Sequence, residues 1–261
     1  MGAIRRRKEA RNNLKKLAEN PLNVLLIHYS YSKTFDDDYG GISPIITAIV
    51  IKSLNGQIDE QFAIHFEADK AGIPQDQIQD SYRELEMRIL KHYNDFARRY
   101  TGCFWIHWDM KNIHFGFEAI KHRFEKIFGR PDGYYDIPSS QKRNLRLIIE
   151  DMYGEKFVVG PDHLKSLMLC NNKNVIDPRY ISGDQESIEF ERKNFDAVIQ
   201  SVDTKVDFLK KATSKLIDKN LLVTSKNGFA IFDDVVHHPI FTALGWIIGF
   251  IGLVLTIYQI V

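Results

Sequence analysis

Histidines and acidic residues of metal-ligating type recur along this 261-residue chain, and four of them stand where apolar runs end: His28, His107, Asp109 and His114. Imidazole with carboxylate suits Zn, Mn or Fe better than a pair of Mg²⁺ ions. The competing reading makes His28 and His107 satisfied strand histidines and Asp109 a helix cap that accepts backbone N–H bonds. Asp36, Asp37 and Asp38 follow in a glycine-containing loop, where three adjacent acids either lend ligands or are simply solvated. Cys103 and Cys170 both lie in apolar stretches and have neither CxxC nor Cys/His zinc spacing, so they read as structural thiols in a reducing compartment. The dinucleotide GxGxxG, the GKS/T phosphate loop, GxSxG and HExxH are all missing from the chain.

The elements that must position such groups begin with Leu22–Ser30, a continuous Leu/Val/Ile run of the kind found in central strands. Ile46–Ser53 and Glu60–Phe66 flank an Asn55-Gly56 turn, a strong hairpin signal, so the domain opens with three sequential antiparallel strands. A long helix then carries Ile78, Tyr82, Leu85, Ile89, Tyr93 and Phe96 on one face. Cys103–Trp108 reads as a short buried strand, and Phe115–Phe128 as a helix that stops at Gly129 before Pro131. A short Tyr134–Ile137 strand, helices around 145–153 and 163–169, and one last helix from about Asp184 complete the order. That last helix stripes Phe195, Ile199, Val202, Val206, Leu209, Thr213 and Leu216, near-heptad spacing that suits either a core or a partner helix. The expectation is an α/β domain over 21–220. Its sheet is mixed, three antiparallel strands followed by parallel ones, because the first hairpin has no room for a crossover helix.

This order, with NVLLIHYS, the ITAIVIKSLNGQIDEQFAIHF hairpin, FWIHWDMKNIHFGFEAI, HLKSLMLCNNK and SVDTKVDFL, resembles the DEDD-type 3′–5′ exonucleases of RNase H-like fold over about residues 22–212. The resemblance implies carboxylates that hold two divalent ions, which activate water and stabilise the leaving oxygen. Position by position, the first-strand Asp-x-Glu falls on His28 and Ser30, the second-motif Asp on Asn112, and the third on Asp203, with Asp207 as a rival. One carboxylate cannot hold two Mg²⁺ ions, so the resemblance implies a degenerate catalytic site. It also brings His28, His107, Asp109 and His114 toward one edge as an alternative divalent-metal set, and His28, Lys111, His114 and Arg143 as donors for a nucleic-acid strand or nucleotide.

From Ile240 to Val261 no residue is charged, and at about 1.5 Å per residue the run spans the roughly 30 Å of a hydrocarbon core. Residues 240–261 therefore read as a transmembrane helix and 221–239 as a hinge. Trp246 and Tyr258 lie toward the two ends of the span, and its position in the chain places the domain on the cytoplasmic side. Gly245, Gly249 and Gly252 form a small-residue face suited to homo-oligomers. Residues 1–20 read as a basic helix without a signal-peptide h-region: a solvated leader, a nucleic-acid arm or an anionic-lipid contact. With 35 basic and 34 acidic residues the chain has no global pull toward nucleic acid. Three functions follow: a membrane-held binding module, a pseudoenzyme that acts as sensor or effector; a divergent metal-dependent nuclease or phosphoesterase; and a membrane-bound interaction protein.

Overall fold

A computed structural model describes residues 2–35, 44–109, 116–129, 133–226 and 228. Helix α1 (Ala3–Glu19) leads into strand β1 (Val24–Phe35), followed by β2 (Pro44–Ser53) and β3 (Asp59–Ala63). Val24, Leu25, Leu26 and Ile27 are all fully buried, so β1 is covered on both faces, as its unbroken apolar run requires. The β2–β3 turn uses Gly56 at φ +80, a conformation that glycine adopts without steric cost. The turn is locked by Ser53 Oγ, which accepts from the Ile58 N–H at 2.8 Å.

The next elements are α2 (Ile64–Ala71), α3 (Tyr82–Arg99), β4 (Phe104–His107), α4 (Phe117–Phe128), β5 (Lys142–Asn144) and α5 (Leu145–Tyr153). Helices α6 (His163–Asn171), α7 (Gly183–Glu191) and α8 (Phe195–Ile217) follow. Gly129 caps α4 in the left-handed conformation, where the sequence stops that helix. Asn144, Asp162 and Ser182 cap α5, α6 and α7 by accepting from backbone N–H groups.

The five strands lie in the order β3-β2-β1-β4-β5. β1 pairs antiparallel with β2 and β2 with β3, while β4 and β5 join parallel. The chain is thus α/β, with a mixed sheet and flanking helices. Helices α3 and α4 cover one face: Phe62 meets Phe96, Trp105 meets Tyr93 and Phe96, and His107 meets Phe117. Helices α7 and α8 cover the other, with α1 and α5 packed beside α8.

Three elements differ from the sequence reading. The strand drawn over Glu60–Phe66 ends at Ala63, and Ile64 opens helix α2, because Ile64, Glu67 and Ala68 form a buried helical face. The fifth strand is Lys142–Asn144 rather than Tyr134–Ile137; only parallel pairing with β4 makes this polar triplet a strand. The last helix is broken at Arg192–Asn194, with Lys193 at φ 61, into α7 and α8. Every residue of the near-heptad stripe on α8 is buried against its own chain, so the stripe is core. Helix α1 likewise packs Ala10, Leu14 and Leu17 inward rather than standing free.

Among the described residues no helix is long and apolar enough to cross a membrane. The run Ile240–Val261, with Gly245, Gly249 and Gly252, lies outside them, as do Asp36–Asp38, Lys111, Asn112 and His114.

Candidate functional site

Alternation along a strand sends neighbouring side chains to opposite faces. Cross-strand partners share a face, so Leu26, His28 and Ser30 point with Lys52, Val50, Gln61 and Ile106 toward α7 and α8. His107 alternates with Ile106 and points the other way, toward Phe117 of α4. His28 and His107 thus lie on neighbouring strands but on opposite sides of the sheet.

His28 retains some accessible surface, yet desolvation, reinforced by the Lys205 ammonium and by His107, pushes its imidazole down to about 3. His107 is 5% exposed and its Nδ1 has no hydrogen-bond partner. Burial pushes it to about 3 as well, against the opposing pull of Asp109. Both rings are neutral near pH 7. Asp109 is held by Arg146 at 2.5 Å and by the Asn144 side-chain amide at 3.1 Å, so it ties the end of β4 to β5 and α5. Among the described residues no three His, Cys, Asp or Glu side chains converge to hold a metal ion.

Ser30 is 2% exposed and its Oγ has no partner. Asp203 does not join His28 and Ser30. Its carboxylate meets Lys52 Nζ at 2.7 Å and Gln61 Nε2 at 3.0 Å. Gln61, Val50 and His28 form one rung across the sheet, which puts Asp203 above a strand two places from β1, roughly 10 Å away at the ordinary spacing between strands. Asp207 also meets Lys52, at 2.7 Å, and Asp59 approaches it at 3.4 Å. Burial alone would lower the Lys52 ammonium, but the hydrogen bonds to Asp203 and Asp207 raise it well above its usual value.

What the structure places over the central strand is a pair that the sequence reading missed. Lys205 of α8 and Glu186 of α7 meet at 2.6 Å, with side chains 4% and 3% exposed. Lys205 lies over the Tyr180 ring at 5.2 Å, and the Tyr180 hydroxyl donates to Asp162 at 2.6 Å. Ser187 donates to the Tyr31 carbonyl at 3.0 Å, which pins α7 to β1. A signal was present: Lys205 follows Val202 by three residues and precedes Leu209 by four, so it sits within the apolar stripe of α8. A lysine there needs a buried acid.

Arg143 stands on edge strand β5, with its guanidinium 4.9 Å from the Phe104 ring. It donates to the Ser140 and Lys142 carbonyls at 2.7 and 2.9 Å, and burial lowers its pKa. Lys142 and Arg143 pair with Trp105 and Ile106, Lys142 also meets Asp136 at 3.2 Å, and Asn144 lies beside His107 at the end of β4.

The chemistry available is therefore electrostatic and self-contained. On the α8 side of the sheet, Lys52 and Lys205 each carry their own carboxylate partners. Searches of family models, curated proteins and solved structures return no match to this chain.

Proposed function

We propose that this chain is a membrane-held binding module on an RNase H-like sheet of the DEDD exonuclease kind, in which lysines stand in for the catalytic cations. The observation that carries this reading is the buried Lys205–Glu186 pair above β1, on the face where His28 and Ser30 occupy the positions of the first carboxylate motif. The strand directions, three antiparallel strands and then two parallel ones, are those expected of such a sheet, which supports the fold half of the reading. An ammonium balances a carboxylate but does not activate water or accept the developing charge of a leaving oxygen as paired metals do. What remains is binding. Arg143 on the edge strand, with Lys111 and His114 in the segment after β4, supplies donors for the phosphates of a nucleic-acid strand or a nucleotide. The uncharged run 240–261 supplies the attachment to a membrane.

The test uses the full chain in detergent with end-labelled single-stranded DNA and RNA, in Mg²⁺ and separately in Mn²⁺ and Zn²⁺, beside a binding titration of the same oligonucleotides and of nucleotides. The expected result is binding without degradation, weakened several-fold by Arg143→Ala. Mg²⁺-dependent degradation abolished by Asp203→Ala would overturn the degenerate-site reading. Degradation in Mn²⁺ or Zn²⁺ alone, lost with His28→Ala, would favour a divergent metal-dependent hydrolase. No binding to any of these probes would leave a membrane-bound interaction protein as the better description.

A further inference from the structure

Helix α1 has one committed face and one uncommitted. Inward, Ala10, Leu14 and Leu17 are buried, and Arg6 reaches Asp151 of α5 at 3.2 Å. Outward, Arg5, Lys8, Lys15 and Lys16 are exposed. The two acids of the helix are already used: Glu9 lies 3.3 Å from Arg5 and Glu19 lies 3.7 Å from Lys15. Lys8 and Lys16 have no ion-pair partner among the described residues. Ile4, 70% exposed, lies on the same stripe as Lys8 and Lys15, and Leu22, 65% exposed, follows just beyond the helix. The apolar face of α1 is taken up by the core, so what it offers outward is a basic stripe with an exposed apolar side chain at each end, suited to electrostatic contact with an anionic surface.

The point where the chain leaves the described body gives this stripe its partner. Lys226 lies over the Tyr153 ring at 5.7 Å, at the end of α5, two residues from the Asp151 that holds Arg6. The Thr224 N–H donates to the Phe157 carbonyl at 2.8 Å, which fixes this departure and brings exposed Lys156 beside it, next to exposed Glu155. Thirteen residues, 227–239, separate Lys226 from the uncharged run, a reach of at most about 45 Å. Helix α1 is only about 25 Å long, so the linker is long enough to let the run enter a bilayer beside any part of the outer stripe.

We propose that the outer stripe of α1 docks on the anionic phospholipid headgroups of the membrane that residues 240–261 enter. The proposal rests on reading that run as an anchor. Basic residues near an anionic leaflet are attracted strongly, and the attraction falls off within a Debye length. The stripe and the anchor thereby hold the body against the bilayer at two places, with its orientation fixed by α1.

The experiment reconstitutes the full chain in phosphatidylcholine vesicles and in vesicles with about 30% phosphatidylserine. Acetylation rates of Lys8, Lys15 and Lys16 are read by peptide mass spectrometry. Lys91, exposed on α3 across the sheet, is the control. In the anionic vesicles the three α1 lysines should react at least about fivefold more slowly at moderate salt, with Lys91 unchanged and the protection lost near about 0.5 M salt. Equal rates in the two vesicles, or an equal fall at Lys91, would overturn the proposal. Protection by a single-stranded oligonucleotide in phosphatidylcholine vesicles, with none from phosphatidylserine, would also overturn it and assign the stripe to nucleic acid. A chain that does not float with phosphatidylcholine vesicles refutes the anchor instead, and lysine protection on phosphatidylserine vesicles then still decides for or against α1.

Discussion

Lys52 and Lys205 both face the α8 side of the sheet, and each is neutralised at hydrogen-bond distance by acids of its own chain. Breaking a buried pair by removing one partner costs more than the pair itself contributes, so each lysine is bound to its acids for folding as much as for function. The buried histidines make a sharper prediction. His107 titrates near 3 when folded and near its ordinary 6.5 when unfolded. Between those values the unfolded chain binds a proton that the folded chain refuses, so this histidine's contribution to stability is complete above about pH 6.5 and is lost as the pH falls toward 3. The slope is up to about 1.4 kcal/mol per pH unit for one histidine, and His28, pushed down to about 3 as well, adds a second share of the same sign. Urea unfolding of His107→Asn between about pH 4.5 and 7 should show a slope shallower by close to one proton. An unchanged slope would mean that His107 is not held neutral in the fold.

Among the elements, β2, α3 and α4 are clamped by one carboxylate. Glu86 accepts the Ile46 N–H at 2.8 Å and two bonds from the Arg123 guanidinium at 2.6 Å each, with both side chains almost fully buried. Replacing Arg123 with Met keeps the volume and strands the carboxylate, so it should cost about 3–5 kcal/mol of stability in a denaturant titration. A loss below about 1 kcal/mol would show that water or another donor reaches Glu86. The opening hairpin was legible because Asn55-Gly56 is a local turn with a local reason. The helix of Ile64–Ala71 was not, since Phe62 to Phe66 alternates well enough for a strand and only packing on α3 decides otherwise. β5 was illegible for the opposite reason: Lys142, Arg143 and Asn144 have no strand pattern of their own.

For the whole molecule, the hydrophobic core runs without interruption from Ala10 to Leu221 and includes α1. A chain ended after Lys226 should therefore unfold at the same denaturant midpoint as the full chain and move from the membrane pellet to the supernatant. A lower midpoint would show that residues 227–261 pack on the body, and a truncated chain that still sediments would move the attachment to α1. The sequence by itself determined the α/β class, the hairpin, the cap at Gly129 and the uncharged run, since each depends on residues close together in the chain. It also determined that His28 and Ser30 share one face of their strand, because the side-chain period is two. The tertiary structure alone decided that His28 and His107 face apart, that Asp203 answers to Lys52, and that Lys205 finds Glu186. The relative facing of β1 and β4 depends on their register, Leu26 beside Ile106. A slip of a single residue reverses every side chain, and nothing local in either strand encodes which register the packed helices will favour.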